Sequence, residues 1–322
     1  MCVRLARQTT RASGTLVRTL RIDTVITDVR VFPLIEVSRE QIEDIAGAPV
    51  VAIEPVHGGL TNTIHKVKLD NGDVLGIKHY AGGKEWFDTE LTTLTLLHGT
   101  LPVPDVVHAD EKKLVIVYRW IDGITLHDLR KQGQHAAFST LAEPLGRVLA
   151  WLARSDATEP FELTTILEQS YAQLTTGRAR ERIGAGMADA LRKAMEAYEP
   201  MMAWGSVCLS HGDLGHRNVL VFQAGDRWRI NGIIDWETTT TGSPLVDIGS
   251  LFRYSRRYDR AFCDAFEAGY RDGGGELPEG WLLTSRLLDA TWLVDMLNDD
   301  NEHTAVFADC RKLVANLVAE LG

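Results

Sequence analysis

Two short stretches in the second half of the chain decide how the rest is interpreted. The first is His211-Gly212-Asp213-Leu214-Gly215-His216-Arg217-Asn218, and the second is Ile233-Ile234-Asp235-Trp236-Glu237. Asp213 and Asn218 are five residues apart, and Asp235 follows Asn218 by 17 residues. All three side chains carry the oxygen atoms that bind hard cations.

The residues between these stretches predict a hairpin that brings the three side chains together. Apolar, strand-like runs at 219–222 and 229–234 flank a Gly-Asp turn. Pairing of these strands puts Asn218 and Asp235 near Asp213. Two carboxylates and an amide oxygen suit Mg²⁺, and a carboxylate left free of the metal can orient a hydroxyl nucleophile. The spacing therefore predicts kinase-type phosphoryl transfer.

The pattern H-G-D-x-x-x-x-N followed by I-D-W-E resembles the aminoglycoside phosphotransferase family, the small-molecule branch of the protein-kinase-like fold. The likeness runs from about Val51 to at least Tyr254. The resemblance implies that Asp213 is the catalytic base and that Asn218 and Asp235 hold Mg²⁺.

The same resemblance assigns supporting roles to two further residues. It implies that His211 supports the catalytic loop and that Asp247 braces it. For Asp247 an alternative stays open, because an acidic residue at a helix N-terminus is also favoured by the helix dipole.

The first half of the chain predicts where a nucleotide is held. Lys78 lies on an otherwise apolar strand, where an ammonium group needs an anionic partner. Glu90 projects from the apolar stripe of a helix predicted from about Lys84 to His98, and a buried acid needs a cation. We expect Lys78 to pair with Glu90 and to contact the nucleotide phosphates. The alternative is a surface lysine and a partly exposed glutamate.

Two flanking segments are assigned to the nucleotide by the resemblance. The family uses a G-G-x-[ST]-N turn against the phosphates, although two adjacent glycines alone indicate only a hairpin turn. The connector before the helical part aligns with the family's hinge, and its main-chain groups near Arg119 and Trp120 would contact the base. The nucleotide-binding residues implied are Gly58, Gly59, Thr61, Asn62, Thr63, Lys78, Glu90, Tyr118, Arg119 and Trp120.

The acceptor site is predicted less sharply. Asp289, Asp295 and Asp299 form an acidic group in the C-terminal helices, where the family binds substrate ammonium groups. A solvated helix face is an equal alternative. Trp281 and Trp292 are interpreted as core residues.

Element order predicts an α+β, bilobal protein-kinase-like fold, with a small antiparallel β-rich N-lobe and a larger, mainly helical C-lobe. The expected divisions are an extension of unknown role at 1–45, a nucleotide-binding N-lobe at 46–118, a hinge at 119–123 and a catalytic C-lobe at 124–322. The extension carries five arginines before its first acid, as a transit peptide does. A frayed tail or an upstream start codon are the alternatives.

Composition narrows the class further. The chain has 322 residues, 45% of them apolar, and a formal net charge of −10, which disfavours a nucleic-acid partner. Four scattered cysteines and the lack of a long apolar run favour a cytoplasmic protein that does not cross a membrane. Oligomeric state stays open.

We therefore expect a Mg²⁺-dependent kinase that transfers the γ-phosphate of ATP or GTP to a small polar or cationic acceptor, such as an aminoglycoside-type antibiotic. Alternative acceptors in the family are choline, homoserine, methylthioribose, sugar-amines and macrolides. A catalytically silent nucleotide-binding pseudokinase is the alternative from another class.

Overall fold

The computed structural model describes residues 32–57, 61–155, 157, 159–301 and 303–321. Its strands are β1 (Val50–Pro55), β2 (Thr63–Leu69), β3 (Val74–His79), β4 (Val106–Asp110), β5 (Val115–Arg119), β6 (Ile124–Thr125), β7 (Cys208–Ser210), β8 (Val219–Ala224), β9 (Arg227–Ile233) and β10 (Thr240–Gly242). Its helices are α1 (Arg39–Ala46), α2 (Lys84–Leu97), α3 (Leu126–Lys131), α4 (His135–Thr140), α5 (Ala142–Leu152), α6 (Leu163–Thr176), α7 (Arg178–Ile183), α8 (Ala185–Met202), α9 (Leu245–Leu251), α10 (Arg260–Asp272), α11 (Trp281–Leu297) and α12 (Thr304–Ala319). Short 3-10 turns occupy Trp236–Thr238 and Ser255–Arg257.

The N-terminal part is a five-stranded antiparallel sheet in the order β1-β2-β3-β5-β4. The Asp70–Asp73 turn joins β2 to β3, and Gly72 has the positive φ of 92° that such a turn requires. Helix α2 follows β3, and the described residues after β5 are mainly helical, with short strands among the helices. The predicted α+β fold with an antiparallel β-rich N-lobe and a mainly helical C-lobe is confirmed.

Helix α1 is part of the packed structure of the N-terminal sheet. A capping box at Ser38 starts it, and Ile42 is buried in the same apolar cluster as Val67, Ile77 and Val117. Residues 39–45, which the sequence placed in an extension, therefore pack against the sheet. The single buried isoleucine of this short helix gives the sequence no clear periodic signal.

The C-terminal part surrounds α11, most of whose residues are buried. Helices α5 and α10 pack so closely that a Cβ at Gly146 or Gly269 would collide with the facing backbone. Trp281 stacks on Phe266 in this core, as the sequence predicted. In the described ranges no helix is both long and apolar enough to span a bilayer.

Two histidines on adjacent strands give the fold a pH-dependent stability. The rings of His65 and His79 are 5.9 Å apart, and His79 Nε2 has no hydrogen-bond partner among the described residues. Burial, assisted by the charge of His65, lowers the pKa of His79 to about 4. In the unfolded chain His79 therefore binds a proton near pH 6.5, whereas in the folded chain it binds one only near pH 4. Between these pH values protonation of His79 favours the unfolded state.

We expect wild type to lose about 2–3 kcal/mol of unfolding free energy through His79 between pH 7.5 and 4.5, and His79→Leu to lose correspondingly less. Denaturant unfolding at both pH values measures this loss. The control is His108→Leu on β4, where the side chain is exposed. An equal loss in wild type and His79→Leu would contradict the assignment.

Candidate active site

The hairpin β8–β9 positions the catalytic loop. Val219 pairs with Ile233, and the N–H of Ile234 donates to the carbonyl of Asn218 over 3.0 Å. The Asn218 amide donates to the main-chain oxygen of Asp213 over 2.8 Å. Asp213, Asn218 and the residue preceding Asp235 are therefore linked by hydrogen bonds.

Asp235 lies where the chain leaves β9. Its φ of 74° and ψ of 59° are left-handed, a conformation that is rare for a residue with a side chain. The next residue, Trp236, is held by its indole N–H, which donates to the Ile233 carbonyl over 2.8 Å. A strained backbone that persists is typical of functional sites.

The Lys78 ammonium meets three buried carboxylates. It forms an ion pair with Glu90, which α2 supplies, and further pairs with Asp235 at 2.6 Å and Glu237 at 2.8 Å. The Tyr80 hydroxyl donates to the same Glu90 carboxylate over 2.6 Å. The structure thus brings together the predicted lysine, its helix partner and the carboxylate at the end of the hairpin.

The charge of this cluster follows from its composition. Burial acts to lower the pKa of Lys78, but the carboxylates of Asp235, Glu237 and Glu90 outweigh it and raise that pKa well above its usual value. Burial and Glu90 likewise raise the pKa of Tyr80. Lys78 therefore keeps its proton at neutral pH beside these carboxylates.

Glu237 joins the N-terminal sheet to the catalytic hairpin. Its carboxylate accepts hydrogen bonds from the side chains of Asn62 and of Thr61, the latter at 3.4 Å. Thr63 begins β2 and its hydroxyl accepts from the N–H of Ile35 over 2.9 Å. Gly58 and Gly59 lie outside the described residues. Of the predicted phosphate turn, Thr61 and Asn62 thus contact the Lys78 cluster through Glu237.

His211 and Asp247 stabilise the catalytic loop through hydrogen bonds to main-chain groups. Asp247 accepts from the main-chain N–H groups of His211 and Gly212 over 2.8 and 3.0 Å. His211 Nε2 donates to the Ile234 carbonyl over 3.0 Å, so its Nδ1 is the atom that faces the N–H of Asp213. Glycine is required at 212, where φ is 83° and a Cβ would collide with a neighbouring carbonyl.

Burial raises the pKa of Asp247 even though His211 and the two N–H groups oppose the shift. Asp247→Ala leaves those two buried N–H groups without an acceptor, which costs about 1–3 kcal/mol each. We therefore expect a loss of about 2–5 kcal/mol in unfolding free energy, with a smaller loss for Asp247→Asn. Denaturant unfolding measures it. Equal stability of wild type and Asp247→Ala would exclude the bracing role.

The main-chain N–H groups of the predicted hinge are bonded within the N-terminal part of the structure. The N–H of Arg119 donates to the Asp105 carbonyl over 2.9 Å, and that of Trp120 to the Val74 carbonyl over 3.0 Å. In this conformation the main-chain N–H groups of Arg119 and Trp120 are not available to a nucleotide base. Only the carbonyl groups of these two residues could contact it, as hydrogen-bond acceptors. The ring of Tyr118 covers Gly76, where a Cβ would overlap it, and burial raises the pKa of Tyr118.

A cavity of about 180 Å³ opens beside Asp213. It lies between α2, α6, α11, the catalytic loop and the segment after Asp235. Its lining includes aromatic side chains, threonines and acids: Trp86, Phe161, Trp292, Thr238, Thr239, Thr240, Thr241, Thr291, Glu85, Asp213, Glu237 and Asp289.

The three acids predicted for the acceptor do not act as one group. Asp289 lines the cavity but is held by Arg253, with N···O distances of 2.8 and 2.9 Å. Asp295 accepts from Gln169 and Gln173 of α6 over 2.9 and 3.0 Å, and Asp299 accepts from the N–H of Asn301. Neither Asp295 nor Asp299 lines the cavity, because Asp295 faces α6 and Asp299 lies in the segment that follows α11.

Sequence reasoning missed three site residues. Glu237 lies two residues after Asp235, and an acid so close to the motif is a usable signal. Tyr80 directly follows β3, and Arg253 lies beyond α9. No local pattern places Arg253 at Asp213, because their contact spans 40 residues.

The donor set fits a divalent cation. Carboxylate oxygens of Glu90, Asp235 and Glu237 lie within 4.8 Å of one another, and all three residues are buried. Oxygen ligands of this kind suit Mg²⁺. In this structure the Lys78 ammonium forms ion pairs with these same carboxylates.

Comparison with known structures finds the same architecture. The macrolide 2'-phosphotransferase MphH from Brachybacterium faecium is 18% identical, with a TM-score of 0.62 over 85% of this chain and 96% of that one. A choline/ethanolamine kinase family protein from Mesorhizobium loti is 22% identical, with a TM-score of 0.61 over 87% and 92%. A thermostable mutant of the aminoglycoside phosphotransferase APH(4)-Ia is 16% identical, with a TM-score of 0.62 over 88% and 99%. No curated protein matches the sequence.

Fold and site together define a kinase-like phosphotransferase that acts on an alcohol group of a small molecule. The model of the phosphotransferase enzyme family matches residues 52–282, and the chain belongs to that family.

Proposed function

We propose that the protein transfers the γ-phosphate of ATP or GTP to a hydroxyl of a compact, amine-bearing acceptor. The observation that carries the proposal is that Glu237 lines the same cavity as Asp213 and forms an ion pair with Lys78. Lys78 is a buried cation paired with Glu90 and Asp235, and Asp213 lines a cavity beside the same hairpin. Similar solved structures are described as complexes with ADP or AMP-PNP and hygromycin B.

The proposed reaction divides between these groups. Lys78 contacts the triphosphate, and the Asp213 carboxylate orients the acceptor hydroxyl and takes its proton. The hydroxyl oxygen forms a bond to the γ-phosphorus while the bond to the β–γ bridging oxygen breaks and ADP leaves. Asn218 and Asp235 would hold Mg²⁺, with Glu237 within reach. When bound, that ion supplies positive charge against the phosphate oxygens.

The lining of the cavity favours an acceptor rich in hydrogen-bond donors. Four threonine hydroxyls donate to main-chain carbonyls, which leaves them only acceptor capacity: Thr238, Thr239, Thr241 and Thr291. The acids of the lining are acceptors as well. Ammonium and hydroxyl groups complement such a surface, and rings such as Trp86 favour a cation.

The size of the cavity favours a small acceptor. Pockets for drug-sized ligands measure roughly 300–1,000 Å³, whereas this cavity measures about 180 Å³. A metabolite with one amine fits this volume better than a multi-ring antibiotic. We therefore propose a compact amino alcohol as the first candidate acceptor and an antibiotic as the second.

A panel of acceptors with release of ADP or GDP as the readout tests the proposal. Choline, homoserine, methylthioribose, a sugar-amine adduct, kanamycin and erythromycin are each supplied with Mg-ATP or Mg-GTP. We expect turnover with a compact amine, loss of turnover with EDTA, and none with erythromycin. Nucleotide binding without release of ADP or GDP for any acceptor would instead support the pseudokinase alternative.

A further inference from the structure

Arg253 lies between the candidate catalytic base and the acceptor cavity. Its side chain is 6% exposed, and it follows α9, the helix that carries Asp247. The guanidinium is fixed on one edge by both carboxylate oxygens of Asp289 and on one face by the Trp292 ring, 4.2 Å away. Its Nη2 also donates to the Ser250 hydroxyl over 3.3 Å.

The third nitrogen of the Arg253 guanidinium, Nη1, faces the catalytic loop. Arg253 Nη1 lies 3.4 Å from Asp213 Oδ1. This distance exceeds that of the Asp289 pair, so Asp289 anchors the arginine and Asp213 receives a weaker, directional contact. Lysine cannot reproduce this geometry, because only the planar fork presents donors in several fixed directions.

We propose that Arg253 is a positioning residue that orients the Asp213 carboxylate toward the acceptor hydroxyl. The proposal rests on the proposed function of Asp213. Phosphoryl transfer depends chiefly on positioning and charge stabilisation, and a carboxylate misplaced by about 1 Å costs about 100-fold in rate. A guanidinium clamped by Asp289 and Trp292 is held rigidly enough to position the Asp213 carboxylate.

Two substitutions separate positioning from support of the fold. Arg253→Lys keeps the charge and loses the fork, and Arg253→Met removes both. Arg286→Lys and Arg286→Met are matched controls, because Arg286 is also 6% exposed and pairs with a carboxylate, that of Glu320, away from the cleft. Each variant is compared by Tm, by KM for Mg-ATP, and by kcat with the acceptor that the panel identifies.

We expect Arg253→Lys to lower kcat about 10-fold and Arg253→Met about 100-fold, with KM for Mg-ATP unchanged within about 3-fold. The Arg286 variants are expected to match the Arg253 variants in Tm and to retain wild-type kcat. Should Arg253→Met fail to fold, Arg253→Lys decides alone. Wild-type kcat in Arg253→Lys, or an equal fall in kcat for Arg286→Lys, would overturn the proposal. A wild type that phosphorylates no acceptor refutes the proposed function, and this inference falls with it.

Discussion

Asp213→Asn is expected to lower kcat by about 10²–10⁴-fold, the range that a positioned general base contributes. The amide keeps the shape of the side chain and can still accept from Arg253, but it cannot take the proton of the acceptor hydroxyl. The backbone bonds that Asp213 makes with Asn218 and His211 do not involve its carboxylate. The loop should therefore keep its conformation.

Steady-state kinetics of ADP release, with Mg-ATP affinity measured by calorimetry, checks this prediction. Affinity is expected to stay within about 3-fold of wild type, because the nucleotide is assigned to Lys78 and the metal-binding pair. Asp226→Asn, in the exposed turn between β8 and β9, is the matched control. Turnover near wild type in Asp213→Asn would remove the assignment of this residue as the base.

Lys78→Met is expected to abolish nucleotide binding and to lower the unfolding free energy by about 3–5 kcal/mol. Lys78 is the cation paired with Glu90, Asp235 and Glu237. Removing it leaves buried carboxylates without compensation, and their desolvation and mutual repulsion are no longer offset.

Lys84→Met is the matched control for this variant. Lys84 also pairs with two acids, Asp88 at 2.8 Å and Glu111 at 2.6 Å, but its side chain is 55% exposed. Exposed pairs contribute about 0–1 kcal/mol, so this variant should keep its stability and its activity.

A double variant separates the structural and the chemical roles of Lys78. Lys78→Met with Glu237→Gln should recover part of the lost stability, because one uncompensated charge is removed, and should recover no phosphate transfer. Denaturant unfolding and ADP release measure the two effects. Retained Mg-ATP binding in Lys78→Met would contradict the role assigned to this lysine.

Local sequence predicted the elements that have strong short-range signals. The Asn-Gly turn between β2 and β3, the helix beginning at Lys84, and the β8–β9 hairpin follow from turn chemistry and from apolar periodicity. The pairing of Lys78 with Glu90 was predictable for the same reason, because each is a charge on an apolar surface and needs a partner. The short strands β6, β7 and β10 carried no comparable signal and form by pairing with distant segments.

By itself, the sequence indicated candidate side chains for the chemistry, since the identity and spacing of residues are properties of the chain. Tertiary structure alone decided which of them meet. Glu237 reaches Asn62 across 175 residues, and Arg253 reaches Asp213 and Asp289 from opposite directions along the chain. It also decided that Asp295 turns toward α6 rather than the cavity. The physical reason is that a buried charge is stabilised by whichever partner packing brings near it, and packing depends on the whole chain.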